Sequence, residues 1–219
     1  MLRIAAIAPL RLTPEEMDRR QRRYHQLGGD AVRIDLTNLG RGAPRRLETA
    51  ADIARSETAV REVISTTDPA RYDCVLPDCV LDPAAGDPPE KGIPVFGILR
   101  LAVGHLASLG LSFAAVTRNS AIADELLRRV NDYGLARSVE TVRVLDADFC
   151  LISDDSGWSD ALSPVTASLA RSGTRMLLNG CSAVDLPDNR INGVTVVDPT
   201  KLAIRVLALA HEQHLLRTG

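Results

Sequence analysis

No excess of either charge marks this 219-residue chain: 26 lysines and arginines stand against 28 aspartates and glutamates, a net charge of −2. So balanced a chain offers no electrostatic footprint for nucleic acid or for an anionic membrane surface. Long apolar runs are missing as well, since none reaches the roughly 18 residues needed to span a bilayer. The opening "MLRIAAIAPLRL" is interrupted by Arg3 and Arg11 and reads as a first strand rather than a secretory leader. The expected compartment is therefore cytoplasmic, where thiols stay reduced. Cysteines 74, 79, 150 and 181 show no C-x-x-C spacing and no histidine at zinc-finger distance, which argues against a disulfide or metal framework. With 45% hydrophobic and 25% charged residues, what remains is a globular protein with material for one large domain or two small ones.

What the chain does have is an internal repeat. "LRIAAIAP" at 2–9 is echoed by "LSFAAVTR" at 111–118. Each is followed by a charged amphipathic stretch, 13–27 or 120–133, that ends near glycine, as helix C-termini prefer. Strand-like phrases follow at 30–36 and 139–145, then helical stretches at 49–66 and 159–172, then an apolar strand running into a cysteine. Cys79 precedes Gly92 by 13 residues, Cys181 precedes Gly193 by 12, and each glycine opens a short apolar phrase, "GIPV" or "GVTV". The order strand, helix, strand, helix, strand, loop, strand thus occurs twice. Such alternation predicts an α/β protein of two similar flavodoxin-like halves, each built on a parallel sheet. Ligands of parallel sheets bind outside the carboxyl ends of the strands, where both cysteines fall. Halves related by a pseudo-twofold would bring Cys79 and Cys181 to opposite sides of one bound molecule.

Two thiols so placed suit one reaction type. Inverting a carbon acid requires taking a proton from one face and returning one to the other, which a thiolate and a thiol can do in either direction. A free cysteine titrates near pH 8.5, and the turn after each cysteine offers backbone N–H groups expected to bring it towards working pH. The same groups are expected to cradle a carboxylate or enolate oxygen.

These motifs resemble those of the aspartate/glutamate racemase superfamily, most closely its hydantoin and allantoin racemase branch. Cys79-Val80-Leu81-Asp82-Pro83 matches that branch's C-x-x-D-P pattern, and "LLNGCS" at 177–182 its second cysteine motif. "APRRLET" at 43–49 resembles a first-half loop carrying a Glu, "GILRLAVGHLASLG" at 97–110 a linker helix, and "FAAVT" at 113–117 the first strand of the second half. The resemblance implies cofactor-independent racemisation or isomerisation in a cleft between the halves, with Cys79 and Cys181 catalytic and no metal. It assigns substrate contacts to Pro9, Val80, Leu81, Thr117, Arg118 and Ser182; for Thr117 and Ser182 a helix cap competes. It also implies that the last helix, about 200–216, packs back on the first half. The halves are then 1–97 with the C-terminal helix 200–219, and 98–199. The expected partners are a small-molecule substrate and further copies of the chain in a homo-oligomer, with no nucleic acid and no membrane. Departures from the branch are the missing asparagines around Pro9, Val80-Leu81 in place of an aromatic and a glycine, and Ser182-Ala183-Val184 in place of a glycine-rich run.

Plainer readings cover other residues. Cys74 and Cys150 read as small core hydrophobes. Asp82 reads as a turn cap ahead of a group positioning Cys79. His211 and His214 form H-x-x-H without a third ligand and read as surface residues. "RRQRRYH" at 19–25 reads as a solvated helix face balanced by Glu15, Glu16 and Asp18. "GRGAPRR" at 40–46 reads equally as a loop that closes over the cleft and as a plain surface loop. Three classes of function follow: a two-thiol racemase or epimerase on a hydantoin-, allantoin- or amino-acid-like substrate, a maleate-type cis–trans isomerase with a covalent cysteine (a single-cysteine arylmalonate-type decarboxylase fits less well with two cysteines), and a non-catalytic small-molecule-binding protein on the same scaffold.

Overall fold

The computed structural model describes residues 1–86, 92–186 and 189–216. The first half runs β1 (Leu2–Ile7), α1 (Pro14–Gly28), β2 (Val32–Thr37), α2 (Ala50–Thr66) and β3 (Cys74–Pro77). The second runs β4 (Phe113–Thr117), α4 (Ser120–Asp132), β5 (Val139–Val144), α5 (Asp155–Arg171), β6 (Met176–Asn179), β7 (Arg190–Ile191) and β8 (Val194–Val197). Helix α3 (Ile98–Ser108) joins them and α6 (Pro199–Glu212) follows β8. No helix among the described residues is long and apolar enough to cross a membrane.

Local sequence explains where the helices start. Thr13 accepts from Glu16 N with Pro14 in the first turn, where a missing N–H costs nothing. Thr49 and Asp52 form a reciprocal capping box on α2, and Asn119, Asp154 and Asp198 cap α4, α5 and α6. Helix α3 has only Gly97 at its N-cap and no side-chain cap of its own. Asp82, from the turn after β3, supplies it: its carboxylate accepts from Leu99 N and Arg100 N, both at 2.8 Å, and from the Tyr133 hydroxyl at 2.8 Å. Gly97 is required there, because a Cβ would lie 2.2 Å from Asp82 Oδ2. Asp82 is thus a cap, but of a helix 16 residues downstream rather than of its own turn.

Both sheets put the first strand of their half in the middle of a parallel arrangement. The order is β2-β1-β3 in one and β5-β4-β6-β8-β7 in the other, with only β7–β8 antiparallel. The halves superimpose in their hydrogen bonds: Asp78 N donates to Ile7 O at 2.7 Å, and Gly180 N donates to Val116 O at 2.7 Å. One residue later in each comes the cysteine. Gly92 and Gly193 both adopt φ 80°, a conformation glycine takes at no steric cost. The expected fourth strand of the first half is reduced to a bridge between Val75 and Val95. Pro94 sits in it and has no N–H to donate, so the ladder stops. Residues 87–91 of that connection, like 217–219 of the expected C-terminal helix, lie outside the described residues.

The core follows this plan. Ala203, Ile204 and Leu207 of α6 pack with Leu2, Ile4, Cys74 and Leu76 of the first sheet. Across the join, Cys79, Val80 and Leu81 share a cluster with Leu99, Phe113, Ala115, Ile122 and Leu126. One face of the first cysteine turn is therefore part of the seam between the halves.

Candidate active site

Both cysteine turns open onto one cavity of about 50 Å³. Its wall includes Cys79, Val80 and Leu81 from the first turn and Gly180, Cys181, Ser182 and Ala183 from the second. Pro9 and Arg118, which follow β1 and β4, also line it. Leu10, Arg20, Leu47, Ile122, Phe149 and Ile152 complete the surroundings. Of the residues expected to be catalytic or to touch substrate, Thr117 is the one placed elsewhere. It is fully buried and its hydroxyl donates to Asn119 O at 3.1 Å. Nor is it the cap, which is Asn119. The turn at the end of β4 gives the cavity to the next residue, Arg118.

The two thiols have matching local surroundings. Leu81 N donates to Cys79 Sγ at 3.4 Å, and the N–H of Ala183, the corresponding residue, favours the Cys181 thiolate. Gly180 makes its turn possible: a Cβ would lie 2.3 Å from Val116 O. The N–H groups do not bring the thiols to working pH, however. Burial dominates and pushes Cys79 up to about 12 against the lowering by Leu81 N–H, with Asp78, Asp82 and the Cys181 charge adding to the rise. Burial raises Cys181 too, but there the Ala183 N–H, Arg20 and Arg23 act in the opposite direction. The expectation of two pre-activated thiols is corrected: burial of the thiols outweighs one backbone donor at each.

"RRQRRYH" is the largest departure from expectation. Met17, Arg20, Tyr24 and Leu27 share a face of α1, and Arg20, Arg23 and Tyr24 are buried rather than solvated. Arg20 donates through Nε to Glu16 at 2.7 Å and through Nη1 to Asp78 at 2.9 Å. Tyr24 donates its hydroxyl to the other Asp78 oxygen at 2.8 Å. Burial opposes the Arg20 charge, but the two carboxylates more than offset it, and its pKa is raised. Arg23 reaches across the seam: it donates to Ser182 O and pairs with Asp198 at 2.7 Å. Arg19 donates to Ala183 O at 2.9 Å. One first-half helix therefore grips the carbonyls of the second-half cysteine turn. Ser182 closes the connection by donating its hydroxyl to Asp78 O at 3.1 Å, which ties one cysteine turn directly to the other.

The roof comes from two segments, the 39–49 loop and the turn that holds Phe149 and Ile152. The segment ending the 39–49 loop is anchored: Arg118 Nη2 donates to Leu47 O at 2.8 Å and pairs with Glu48 at 3.0 Å. Asn119 also donates to Leu47 O at 2.8 Å, and Arg46 stacks over Phe149, 5.3 Å from its ring centre. Phe149 and Ile152 belong to a short 3-10 turn, Phe149–Ser153. Cys150, expected in the core, is exposed on that turn, because its two neighbours on the inner side take the apolar wall. Cys74 is buried in β3. Among the described residues no group of three or more His, Cys, Asp or Glu is placed to hold a metal. His211 lies in the last turn of α6 and His214 beyond the helix in a turn of positive φ, so the pair does not share a helical face.

The chain can now be compared with known proteins. The model of a family described as Asp/Glu/hydantoin racemase matches residues 13–207. No curated protein is significantly similar in sequence. Among solved structures, the allantoin racemase of Pseudomonas fluorescens is similar over 100% of this chain and 94% of its own, with a TM-score of 0.79 and 18% identity. The allantoin racemase of Klebsiella pneumoniae is similar over 100% of this chain and 91% of its own, with a TM-score of 0.78 and 17% identity. An aspartate racemase homologue from Pyrococcus horikoshii OT3 is similar over 96% of this chain and 100% of its own, with a TM-score of 0.64 and 13% identity. At these identities the likeness establishes the fold of two similar halves.

Proposed function

The chain belongs to the Asp/Glu/hydantoin racemase family, and from that membership we propose that it is a cofactor-independent racemase or epimerase in which Cys79 and Cys181 are the opposed acid and base. The observation that carries this reading is the shared cavity: two thiols from equivalent turns of two similar halves line one small, mostly apolar space. A thiolate on one side takes the proton from a carbon next to a carbonyl, forming an S–H bond and leaving the electron pair on an enolate. The thiol on the other side gives its proton to the opposite face. Each turnover leaves the two protonation states exchanged, ready for the reverse direction. Burial disfavours both thiolates; at Cys181 the Ala183 N–H, Arg20 and Arg23 act against it and Asp78 with it, whereas at Cys79 the Leu81 N–H acts against it and Asp78 and Asp82 act with it.

The substrate class is a hydantoin-, allantoin- or amino-acid-like molecule with an acidic C–H beside a carbonyl, and Pro9, Val80, Leu81, Arg118 and Ser182 are its proposed contacts. We take the working unit of the first half as 1–97 with the C-terminal segment 200–219, supported by the packing of α6 on the first sheet, and the second half as 98–199. The test is incubation in D₂O with 5-substituted hydantoins, allantoin, amino acids and maleate. The expected result is solvent deuterium at the stereogenic carbon of one of the first three classes. Conversion of maleate to fumarate without exchange elsewhere would replace this reading by covalent isomerisation, and binding without turnover of any of them by a carrier role.

A further inference from the structure

Arg118 is almost wholly buried in the cavity wall, yet its Nε–H has no hydrogen-bond partner among the described residues. The other two nitrogens have partners: Nη2 with Leu47 O and Glu48, Nη1 with Ala147 O at 3.3 Å. A buried donor without an acceptor is unfavourable, and native structures rarely keep one without a reason. The pseudo-symmetry makes it more pointed. Ile7 O and Val116 O accept the equivalent bonds from Asp78 N and Gly180 N, so two residues further on Pro9 and Arg118 are counterparts. Both line the cavity. Proline has no N–H, and the only oxygen it brings, its carbonyl, already accepts from Ser56 at 2.5 Å. Of this matched pair, only the second-half member offers a donor.

The geometry points to the Arg118 Nε–H as the donor that holds the substrate's carbonyl oxygen, and to a neutral amide- or imide-type carbonyl as the group it takes. This rests on the racemase reading above. When the proton leaves the carbon, the electron pair moves onto that oxygen, and a fixed donor held in the cavity wall stabilises the charge as it develops. A carboxylate would call for two parallel N–H groups. Both Nη nitrogens of Arg118 already have protein partners and its charge is offset by Glu48 at 3.0 Å, so Nε is the one nitrogen of the guanidinium left without a partner. The surrounding Leu10, Leu47, Ile122, Phe149 and Ile152 side chains suit the apolar remainder of such a molecule.

Arg118→Met and Arg118→Gln separate the donor from the latch. Both lose the bonds to Leu47 and Ala147, but glutamine carries an amide nitrogen at the position of Nε and methionine carries no donor. With the best 5-substituted hydantoin, Arg118→Met should lower kcat by roughly 10²–10³-fold, and Arg118→Gln should recover at least about tenfold of that loss. Equal losses in the two variants, or near-wild-type kcat in Arg118→Met, would overturn the assignment. In the wild-type chain, hydantoin should bind at least about tenfold tighter than imidazolidin-2-one, which lacks the carbonyl beside the reacting carbon; equal binding would also overturn it, whether or not the variants fold. Faster exchange of N-carbamoylalanine than of 5-methylhydantoin would overturn the neutral-carbonyl class. Absence of exchange from every substrate in the wild-type chain would remove the racemase reading itself, and this inference with it.

Discussion

Cys79→Ser and Cys181→Ser are each expected to abolish net inversion, with losses of about 10²–10⁴-fold or more. A serine hydroxyl is far too weak an acid to furnish a base at neutral pH, and each direction of the reaction needs one thiol as base and the other as acid. The two losses should be similar in size even though the thiols differ in environment, because inversion passes through both. Half-reactions should survive. Each single variant keeps one thiol and can exchange the hydrogen of the enantiomer facing it, returning solvent deuterium to the same face. Steady-state polarimetry gives the inversion rate, and proton NMR in D₂O gives the exchange into each enantiomer. If one variant kept near-wild-type inversion, only one cysteine would be essential, and a covalent isomerase mechanism would gain ground.

Arg20→Met is expected to cost about 3–5 kcal/mol of stability, the usual loss when one partner of a buried ion pair is removed. Arg20 and Asp78 side chains are 4% and 1% exposed, and Asp78 would keep only the Tyr24 hydroxyl. The charge left behind on Asp78 is what makes the variant unstable. Asp78→Asn should therefore relieve part of the damage, so that the double variant loses less than the sum of the singles, as directly coupled residues do. Urea titrations of the four chains measure this cycle. A loss under about 1 kcal/mol in Arg20→Met, in the range of surface pairs, would show that the buried Arg20–Asp78 pair does not fasten α1 to the first cysteine turn.

The contrast between the cysteines and this arginine helix shows what a sequence reveals. Cys79 and Cys181 carry a signature because the repeat frames them: the apolar strand before, the turn after, and a glycine 12 or 13 residues on that both halves use at φ 80°. The same frame reaches Pro9 and Arg118, and Asp82 was readable as a cap although its helix was not. "RRQRRYH" misleads because its composition is that of a solvated face, and its burial depends on partners far along the chain. Asp78 lies 58 residues from Arg20, and Asp198 lies 175 from Arg23. A local signal was present: Met17, Arg20, Tyr24 and Leu27 recur at helical spacing, which puts Arg20 on the apolar face. Phe149 and Ile152 gave no such signal, since they come from a loop whose path only the tertiary fold determines. The thiol acidities were unreadable for a related reason. They depend on how far the fold buries each thiol, and burial there outweighs the backbone donors that the turns do supply.

The central claim is that two thiols serve opposite faces of one carbon, and the isotopic content of both enantiomers early in the reaction tests it most directly. A single enantiomer of the best substrate is incubated with wild-type protein in D₂O, and product and remaining substrate are separated on a chiral column and weighed by mass spectrometry before a tenth of the substrate has reacted. Opposed thiols predict solvent deuterium in essentially every inverted molecule and protium in the substrate left behind, because the proton delivered comes from a different sulfur than the one that accepted the first. Deuterium entering the unreacted enantiomer as fast as the product, or protium carried from substrate to product, would mean that one group serves both faces and would contradict the assignment of Cys79 and Cys181 as an acid/base pair.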